Sequence, residues 1–399
     1  MRRRTFLALA GAGATTGCLR LQGGGSTATT ATTDTGTSTS TTDTPDTAGQ
    51  ATEAAGEQTE SEPTDDPAPL SLTPAWSLSE DFVIRLWANA GSFYGTTGRT
   101  VRKVTADGEN RWQGETAAES YYPRTAGFGP ETTVVTYDET EGSSPATLLA
   151  YDDGSGAVRW SHDAPDDGNH YRSRAVSVTG DIVVFATQAD GGGDEQRPRV
   201  TALDKNSGER RWHVDIEDGF VTDLVPWQGR LYVMMTDQVL DIDIQSGARN
   251  ANYDVFAGFA TYTRSDDTLY GGSNPVESRS LPGYDQQWEQ QVIAEVNTRP
   301  AIVGDSLVVG TEAGHVIALD RGTGERRWRA RVNSQVRTLY QAQRYVWVAD
   351  NSGFVYAFDP ASGTKLLTDE PDELGDSRQL AVIDDTVLIN TQAYTVEKE

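Results

Sequence analysis

Cysteine, histidine and lysine are scarce in this chain of 399 residues, and each scarcity excludes a kind of chemistry. Cys18 is the only cysteine, so the folded part contains neither a disulfide bond nor a thiol centre. The histidines His162, His170, His213 and His315 are scattered and have no zinc-binding spacing. The chain also lacks a serine-hydrolase elbow and a phosphate-binding loop. We therefore expect a protein that is not an enzyme.

The net charge is strongly negative, and nearly all of the positive charge is arginine. Asp and Glu number 59 against 33 Lys and Arg, which gives a net charge of −26, and only four of the basic residues are lysines. This excess of negative charge argues against binding to nucleic acid or to anionic lipid. An acidic, lysine-poor composition resembles that of proteins from extreme halophiles, in which molar salt screens the repulsion between like charges.

Residues 1–18 have the features of an export signal. Arginines precede a short apolar stretch of Ala, Gly and Leu that ends at Cys18. The pair Arg3 and Arg4, with a following Phe-Leu, resembles a twin-arginine signal. Residues 15–18, Thr-Thr-Gly-Cys, resemble a lipobox with Thr where Leu is usual. We expect lipidation of Cys18 and anchoring at the extracellular face of the cytoplasmic membrane. The alternative is a soluble secreted protein that is cleaved elsewhere.

Residues 19–69 predict a disordered stalk. They contain no aromatic side chain and consist mainly of Thr, Ser, Ala, Asp, Glu and Pro, so they cannot bury enough apolar surface to fold. The composition is typical of O-glycosylated stalks. A flexible coil of this length spans on the order of 40 Å. No apolar run is long enough to cross a bilayer as a helix, so we expect the membrane to be reached only through the lipid.

A short phrase returns seven times through residues 70–399. Its clearest copies are 202–212, Ala-Leu-Asp-Lys-Asn-Ser-Gly-Glu-Arg-Arg-Trp, and 318–328, with looser copies at 150–160 and 357–367. Between the copies, short apolar runs alternate with Gly, Asp and Asn, which is typical of antiparallel strands joined by hairpins. Four strands in about 40 residues correspond to one blade of a β-propeller.

The count of strands predicts eight blades. After the last complete repeat the chain has strand-like runs at 379–383, 386–390 and 393–396, and before the first repeat it has one at 74–78. These four runs would form an eighth blade that closes the ring and removes its open edges. We predict an all-β, monomeric, eight-bladed propeller of four-stranded antiparallel blades, closed by its N-terminal strand. A propeller of seven blades is the alternative.

Tryptophan recurs on the outer strands at one position per blade. A Trp that lies flat against the next blade would bury a large area there. The residues to which we assign this docking are Trp76, Trp112, Trp160, Trp212, Trp288 and Trp328.

Arginine recurs near the start of the inner strands, which line the central channel of a propeller. The residues concerned are Arg85, Arg124, Arg174, Arg299 and Arg337, with Arg378 one residue from the equivalent position of the last blade. Together they would form a partial positive ring suited to gripping carboxylate or phosphate. The alternative is that each Arg pairs with an acidic residue of a neighbouring blade and only stabilises the ring.

The phrase Ala-x-Asp-x-x-(Ser/Thr)-Gly-x-x-x-Trp resembles the repeat of the pyrroloquinoline-quinone (PQQ) type of β-propeller over nearly all of residues 70–399. That family includes calcium- and quinone-dependent dehydrogenases and also non-catalytic scaffolds, among them the propeller lipoprotein of the bacterial outer-membrane barrel-assembly machinery. This chain lacks the adjacent cysteines of the alcohol-oxidising branch and its long insertions. The resemblance therefore implies a non-catalytic binding or scaffolding module at the cell surface. We expect neither PQQ nor Ca²⁺, and a protein or an anionic ligand as the partner. A quinone-dependent dehydrogenase is the alternative.

Overall fold

The computed structural model describes the second of two units into which the chain divides, Met1–Glu62 and Pro63–Glu399. The described residues are 68–78, 85–96, 100–115, 121–139, 146–164, 171–189, 197–217, 219–254, 261–342, 344–370 and 379–398. The predicted export signal with Arg3, Arg4 and Cys18, nearly all of the predicted stalk, and Arg378 lie outside them. No helix in the described part of the chain has the length and apolar character needed to cross a membrane.

The described residues form eight four-stranded antiparallel sheets, which are the blades of the propeller. Blade 1 contains β2 (Arg85–Asn89), β3 (Ser92–Thr96), β4 (Thr100–Thr105) and β5 (Asn110–Glu115). Blade 2 contains β6 (Tyr121–Gly129), β7 (Thr132–Glu139), β8 (Thr147–Asp152) and β9 (Val158–Asp163). Blade 3 contains β10 (Tyr171–Thr179), β11 (Ile182–Ala189), β12 (Pro198–Asp204) and β13 (Arg210–Asp215). Blade 4 contains β14 (Val221–Trp227), β15 (Arg230–Met235), β16 (Gln238–Asp243) and β17 (Arg249–Asp254).

The second half of the ring repeats this plan. Blade 5 contains β18 (Thr263–Ser265), β19 (Thr268–Gly271), β20 (Val276–Ser280) and β21 (Asp285–Gln290). Blade 6 contains β22 (Ala301–Val303), β23 (Ser306–Gly310), β24 (His315–Asp320) and β25 (Arg326–Arg331). Blade 7 contains β26 (Val336–Ala342), β27 (Tyr345–Asp350), β28 (Val355–Phe358) and β29 (Lys365–Asp369). Blade 8 contains β30 (Leu380–Ile383), β31 (Thr386–Ile389), β32 (Gln392–Lys398) and, as its outer strand, β1 (Leu70–Ser77).

Blade 8 joins the two ends of the propeller chain. β1 pairs antiparallel with β32, with Leu70 opposite Lys398 and Ser77 opposite Gln392. The pairing covers the edge that β32 would otherwise expose. The prediction of eight blades closed by the N-terminal strand is confirmed, and the alternative of seven blades is wrong.

The recurring phrase forms the turn between the third and fourth strands of a blade. In blade 6, Asp320 Oδ1 accepts hydrogen bonds from the backbone N–H groups of Gly322 and Thr323, both at 2.9 Å. Gly324 then adopts a φ of +78°, which glycine reaches without a steric cost. Arg327 on β25 returns to Asp320 Oδ2 at 2.6 Å. These contacts explain why Asp, Gly and Arg recur at fixed spacing.

Each of the six predicted docking tryptophans contacts the blade that follows it. The indole N–H groups donate to backbone carbonyls at 2.7–3.0 Å, in the pairs Trp76–Ala106, Trp112–Asp153, Trp160–Lys205, Trp212–Ile244, Trp288–Arg321 and Trp328–Pro360. Beneath each indole lies the turn glycine of that next blade; these are Gly108, Gly156, Gly208, Gly247, Gly324 and Gly363. A β-carbon at any of these glycines would lie within 2.8 Å of the ring. The tryptophan and the glycine are therefore two halves of one contact between blades.

Blade 4 departs from this arrangement. Ala251 occupies the tryptophan position, since it pairs with Asp241 as Trp212 pairs with Ala202 in blade 3. Tyr253, two residues later, stacks on Tyr284 of blade 5 with ring centroids 5.2 Å apart.

Candidate binding site in the central channel

The first strands of the blades line the channel, and one described cavity lies between four of them. It has a volume of about 360 Å³, and its walls come from blades 1, 2, 6 and 7. Trp87 and Phe128 provide aromatic surface, while Arg299 and Arg337 provide positive charge. A volume of this size is at the lower end of the range of ligand-binding pockets, roughly 300–1,000 Å³.

Two of the predicted arginines lie close enough to Arg85 for their charges to act on it. Burial, followed by the charges of Arg124 and Arg337, lowers the pKa of the Arg85 guanidinium below its usual value. Arg85 belongs to blade 1, and the two arginines that act on it belong to blades 2 and 7. A group of like charges in a partly buried place is stabilised by a bound anion. The channel is therefore electrostatically suited to a carboxylate or phosphate group, although the chain as a whole is acidic.

Two of the arginines pair with buried carboxylates. Arg299 Nη2 lies 2.7 Å from Asp223 Oδ2, which also accepts the backbone N–H of Tyr262 at 3.2 Å. The Arg299 side chain is 56% exposed, whereas that of Asp223 is 8% exposed. In blade 2, Arg124 Nε lies 3.0 Å from Asp138 Oδ2, and Asp138 Oδ1 accepts the N–H of Ser173 in blade 3. The Arg299–Asp223 pair joins blades 6 and 4, and the Arg124–Asp138 pair lies within blade 2. Both arginines are therefore paired, but neither pairs with an acidic residue of the adjacent blade, which the alternative interpretation expected.

The other predicted arginines differ from this pair. The Arg174 guanidinium lies over the ring of Phe220, 5.6 Å from its centroid, at the start of blade 4. Arg337 is exposed on β26 and borders the cavity. Within the described part of the chain, no carboxylate is within ion-pairing distance of Arg337. Arg337 is thus the described channel arginine whose charge is best placed for a ligand.

The pairing of the first two strands of each blade shows that the predicted channel arginines do not all occupy the same position. They occupy two neighbouring positions on the inner strand. Arg174 and Arg337 are the extra residues of β-bulges, and Arg124 lies within the equivalent bulge of β6. Arg85 instead pairs regularly with Thr96, as Asp223 pairs with Met234. A bulge adds one residue to the strand that has no opposite residue on the next strand. Counting residues along the sequence therefore assigns the bulge position and the position after it to the same place.

Sequence reasoning missed the partners of these arginines and the aromatic walls of the cavity. Asp223 is the single acidic residue of β14, a strand that is otherwise largely apolar, and this pattern was a visible signal that its carboxylate is paired. Asp138 gave a weaker signal, because β7 also contains Glu139. Trp87 and Phe128 gave no comparable signal, because an aromatic residue on an inner strand equally suits the contact between blades.

Comparison with known families agrees with the repeat and the fold. A family model described as outer membrane protein assembly factor BamB matches residues 86–279 and 284–396. The chain belongs to this family. The predicted resemblance to PQQ-type propellers similar to BamB is confirmed by this match. No curated protein matches the sequence.

The names of solved structures with the same fold describe different functions. BamB from Moraxella catarrhalis has a TM-score of 0.62 and 17% sequence identity, covering 83% of this chain and 98% of that one. Quinohemoprotein alcohol dehydrogenase from Comamonas testosteroni has a TM-score of 0.61 and 12% identity, covering 82% and 76%. The C-terminal WD40 domain of Sif2 has a TM-score of 0.64 and 10% identity, covering 82% and 98%. At these identities the likeness concerns the fold alone.

The described carboxylates can be compared with what a calcium ion requires. Ca²⁺ takes six to eight oxygen ligands, with carboxylates prominent among them. Across the described ranges, no three His, Cys, Asp or Glu side chains come together as a metal-binding group. Asp223, the carboxylate that Arg299 contacts, is already held by that guanidinium and by a backbone amide.

Proposed function

We propose that the protein is a non-catalytic propeller that binds an anionic group of a partner in its central channel. One observation carries the proposal: Arg299 and Arg337 line one small channel cavity in a chain of net charge −26, and Arg85 lies close enough to Arg337 to be affected by its charge. Arginine grips carboxylate or phosphate with two parallel hydrogen bonds, and burial strengthens such bonds. The partner is a protein or a small anion that presents such a group.

The same proposal places the protein outside the cell membrane. A lipid on Cys18 would anchor it at the extracellular face of the cytoplasmic membrane, and the Thr-rich stalk would hold the propeller away from the bilayer. The BamB family match supports a scaffolding function, because the matching description is that of an assembly factor.

The test compares Arg337→Gln with Arg299→Gln. Isothermal titration would measure binding of citrate and of polyphosphate to the purified protein. Arg337→Gln removes a charge-assisted hydrogen bond of about 1.5–3 kcal/mol, so we expect binding to weaken by about tenfold or more, with an unchanged melting temperature. Arg299→Gln would leave the buried Asp223 carboxylate with only the backbone amides of Leu224 and Tyr262 and without a positive partner, so we expect a loss of roughly 1–3 kcal/mol in the free energy of unfolding.

Arg111→Gln is the matched control, because Arg111 is an exposed arginine on the outer strand β5 and pairs only with Glu109 among the described residues. Equal weakening by Arg337→Gln and Arg111→Gln would mean that the anions respond to overall charge and that the channel is not the site. Dye-linked oxidation of alcohols or sugars by the protein, supplied with PQQ and Ca²⁺, would contradict the non-catalytic assignment and favour the dehydrogenase alternative.

A further inference from the structure

The outer strand of blade 6 differs in charge from the outer strands of the other blades. β25 reads Arg-Arg-Trp-Arg-Ala-Arg, with four positive charges and no negative one. The strand at the same place in blade 3, β13, reads Arg-Arg-Trp-His-Val-Asp, and that of blade 5, β21, reads Asp-Gln-Gln-Trp-Glu-Gln. The docking tryptophan is common to all three, so the charges of β25 are not required for contact between blades.

Most of this charge is not neutralised within the protein. Arg327 is paired with Asp320 and also donates to Ser306 Oγ at 3.1 Å. Around Arg326, Arg329 and Arg331, the described part of the chain places no carboxylate within ion-pairing distance. The protein has a net charge of −26, so a strand with several arginines that lack an ion-pair partner forms a positive patch on a negatively charged protein.

The neighbouring strand does not compensate the positive charge of this edge. In blade 3, Arg199 lies opposite Asp215, and Nε and Oδ1 are 2.5 Å apart. In blade 6 the equivalent residues are His315 and Arg331. Burial, followed by the charges of Arg329 and Arg331, lowers the pKa of His315 below its usual value. A lowered pKa keeps the His315 imidazole neutral near pH 7, so His315 supplies no negative charge to offset Arg331, in contrast to the Arg199–Asp215 pair of blade 3.

A groove runs beside this edge, between blades 5 and 6. It has a volume of about 300 Å³ and includes Arg326 and Arg329 in its wall, while Val292 and Ile293 form an apolar side. Ile293 is 43% exposed, and Val158 is the only other large hydrophobic residue in the described ranges that is exposed in this way. Asn274 fixes the apolar side in place: its Nδ2 donates to the Val292 carbonyl at 3.1 Å, and its Oδ1 accepts the Val292 N–H at 3.0 Å.

We infer that β25 and this groove form a second binding surface, which takes an acidic peptide segment carrying an apolar side chain. The arginines attract the carboxylates, and the Val292–Ile293 wall receives the apolar group. β25 is the edge of its sheet, so its outward backbone N–H and C=O groups can pair with an added strand. An anionic lipid surface matches the charge but has no backbone to pair with that edge, so a peptide fits the surface better.

The experiment measures fluorescence anisotropy of a short labelled peptide in which glutamates flank a central leucine. The solution contains the lowest salt concentration at which the wild-type protein keeps its β-type circular dichroism, because salt screens these charges. The triple variant R326Q/R329Q/R331Q should bind the peptide at least about tenfold more weakly than wild type. The control variant R111Q/R210Q/R249Q removes the same charge from the outer strands β5, β13 and β17 and should bind as wild type does.

Further arms separate this surface from the channel and from a membrane. Arg337→Gln should leave peptide binding unchanged, so failure of the channel proposal would not affect this result. Ile293→Ser should weaken binding of the leucine peptide but not of a peptide with Ser in place of Leu. Equal weakening by both triple variants would overturn the inference, as would binding to phosphatidylglycerol vesicles with no binding to the peptide. The melting temperature of each variant shows whether it is folded, and a folded R326Q/R329Q/R331Q that binds normally also excludes the proposed surface.

Discussion

The contact between Gly208 and Trp160 allows the docking of one blade on the next to be tested quantitatively. Gly208 has a φ of +72°, and a β-carbon added there would lie 2.7 Å from the indole of Trp160. Gly208→Ala should cost about 1–2 kcal/mol for the left-handed backbone and about 1–3 kcal/mol more for displacing the ring. We therefore expect a loss of about 2–5 kcal/mol in the free energy of unfolding, measured by urea denaturation.

Gly180→Ala is the matched control for this substitution. Gly180 also has a positive φ, +56°, but no atom lies within 4 Å of an added β-carbon. It should lose only the backbone contribution, about 1–2 kcal/mol. In a Trp160→Ala background, Gly208→Ala should likewise cost only that contribution, because the ring is gone. Equal losses from Gly208→Ala and Gly180→Ala in the wild-type background would refute the reasoning, since the indole would then not rest on Gly208.

Three further predictions concern anchoring, ring closure and acid stability. Cys18→Ser should release the protein into the medium, and mass spectrometry of the wild-type N-terminus should find a modified Cys18; a variant that stays on the membrane would contradict the anchor. Deletion of residues 70–80 should cause aggregation or a much lower melting temperature, whereas deletion of 26–64 should leave it unchanged; equal effects would mean a misplaced propeller boundary. A neighbouring arginine, followed by turn amides, lowers the pKa of Asp204 and of Asp320 to about 2. The pKa of an aspartate in the unfolded chain is about 3.9, so the stability that these carboxylates contribute is present above that pH and is lost as the pH falls toward about 2. D204N/D320N should therefore show a shallower acid-induced fall in melting temperature than wild type.

The fold was predictable because each part of the repeat has a local physical reason. Asp320 binds its own turn amides, Gly324 takes a positive φ, and Trp328 covers the next blade. These requirements depend on spacing along the chain, so they leave a readable pattern in the sequence. The strand count then predicted closure by β1, because three strands at one end of the chain need a fourth.

The channel was harder to predict because its contacts join residues that are far apart in the sequence. Arg299 of blade 6 reaches Asp223 of blade 4, so its partner lies two blades away and not in the neighbouring blade. The distance that a side chain must cover there depends on the width of the ring, which no local pattern records. The bulges at Arg174 and Arg337 further shift the register by one residue and make equivalent positions look different.

Some positions of the repeat dock one blade on the next, and others vary from blade to blade. The variable positions are those at which a binding function can be placed. A side chain that packs a neighbouring blade, such as Trp160 on Gly208, cannot change without loss of that interface. The bulge position of the inner strand varies, since it carries Arg337 in blade 7 and Thr222 in blade 4. Positions beside the docking tryptophan of the outer strand also vary, since Arg329 and Arg331 of β25 replace His213 and Asp215 of β13. Substitutions of Arg337 and of these β25 arginines should therefore alter binding while leaving the ring intact.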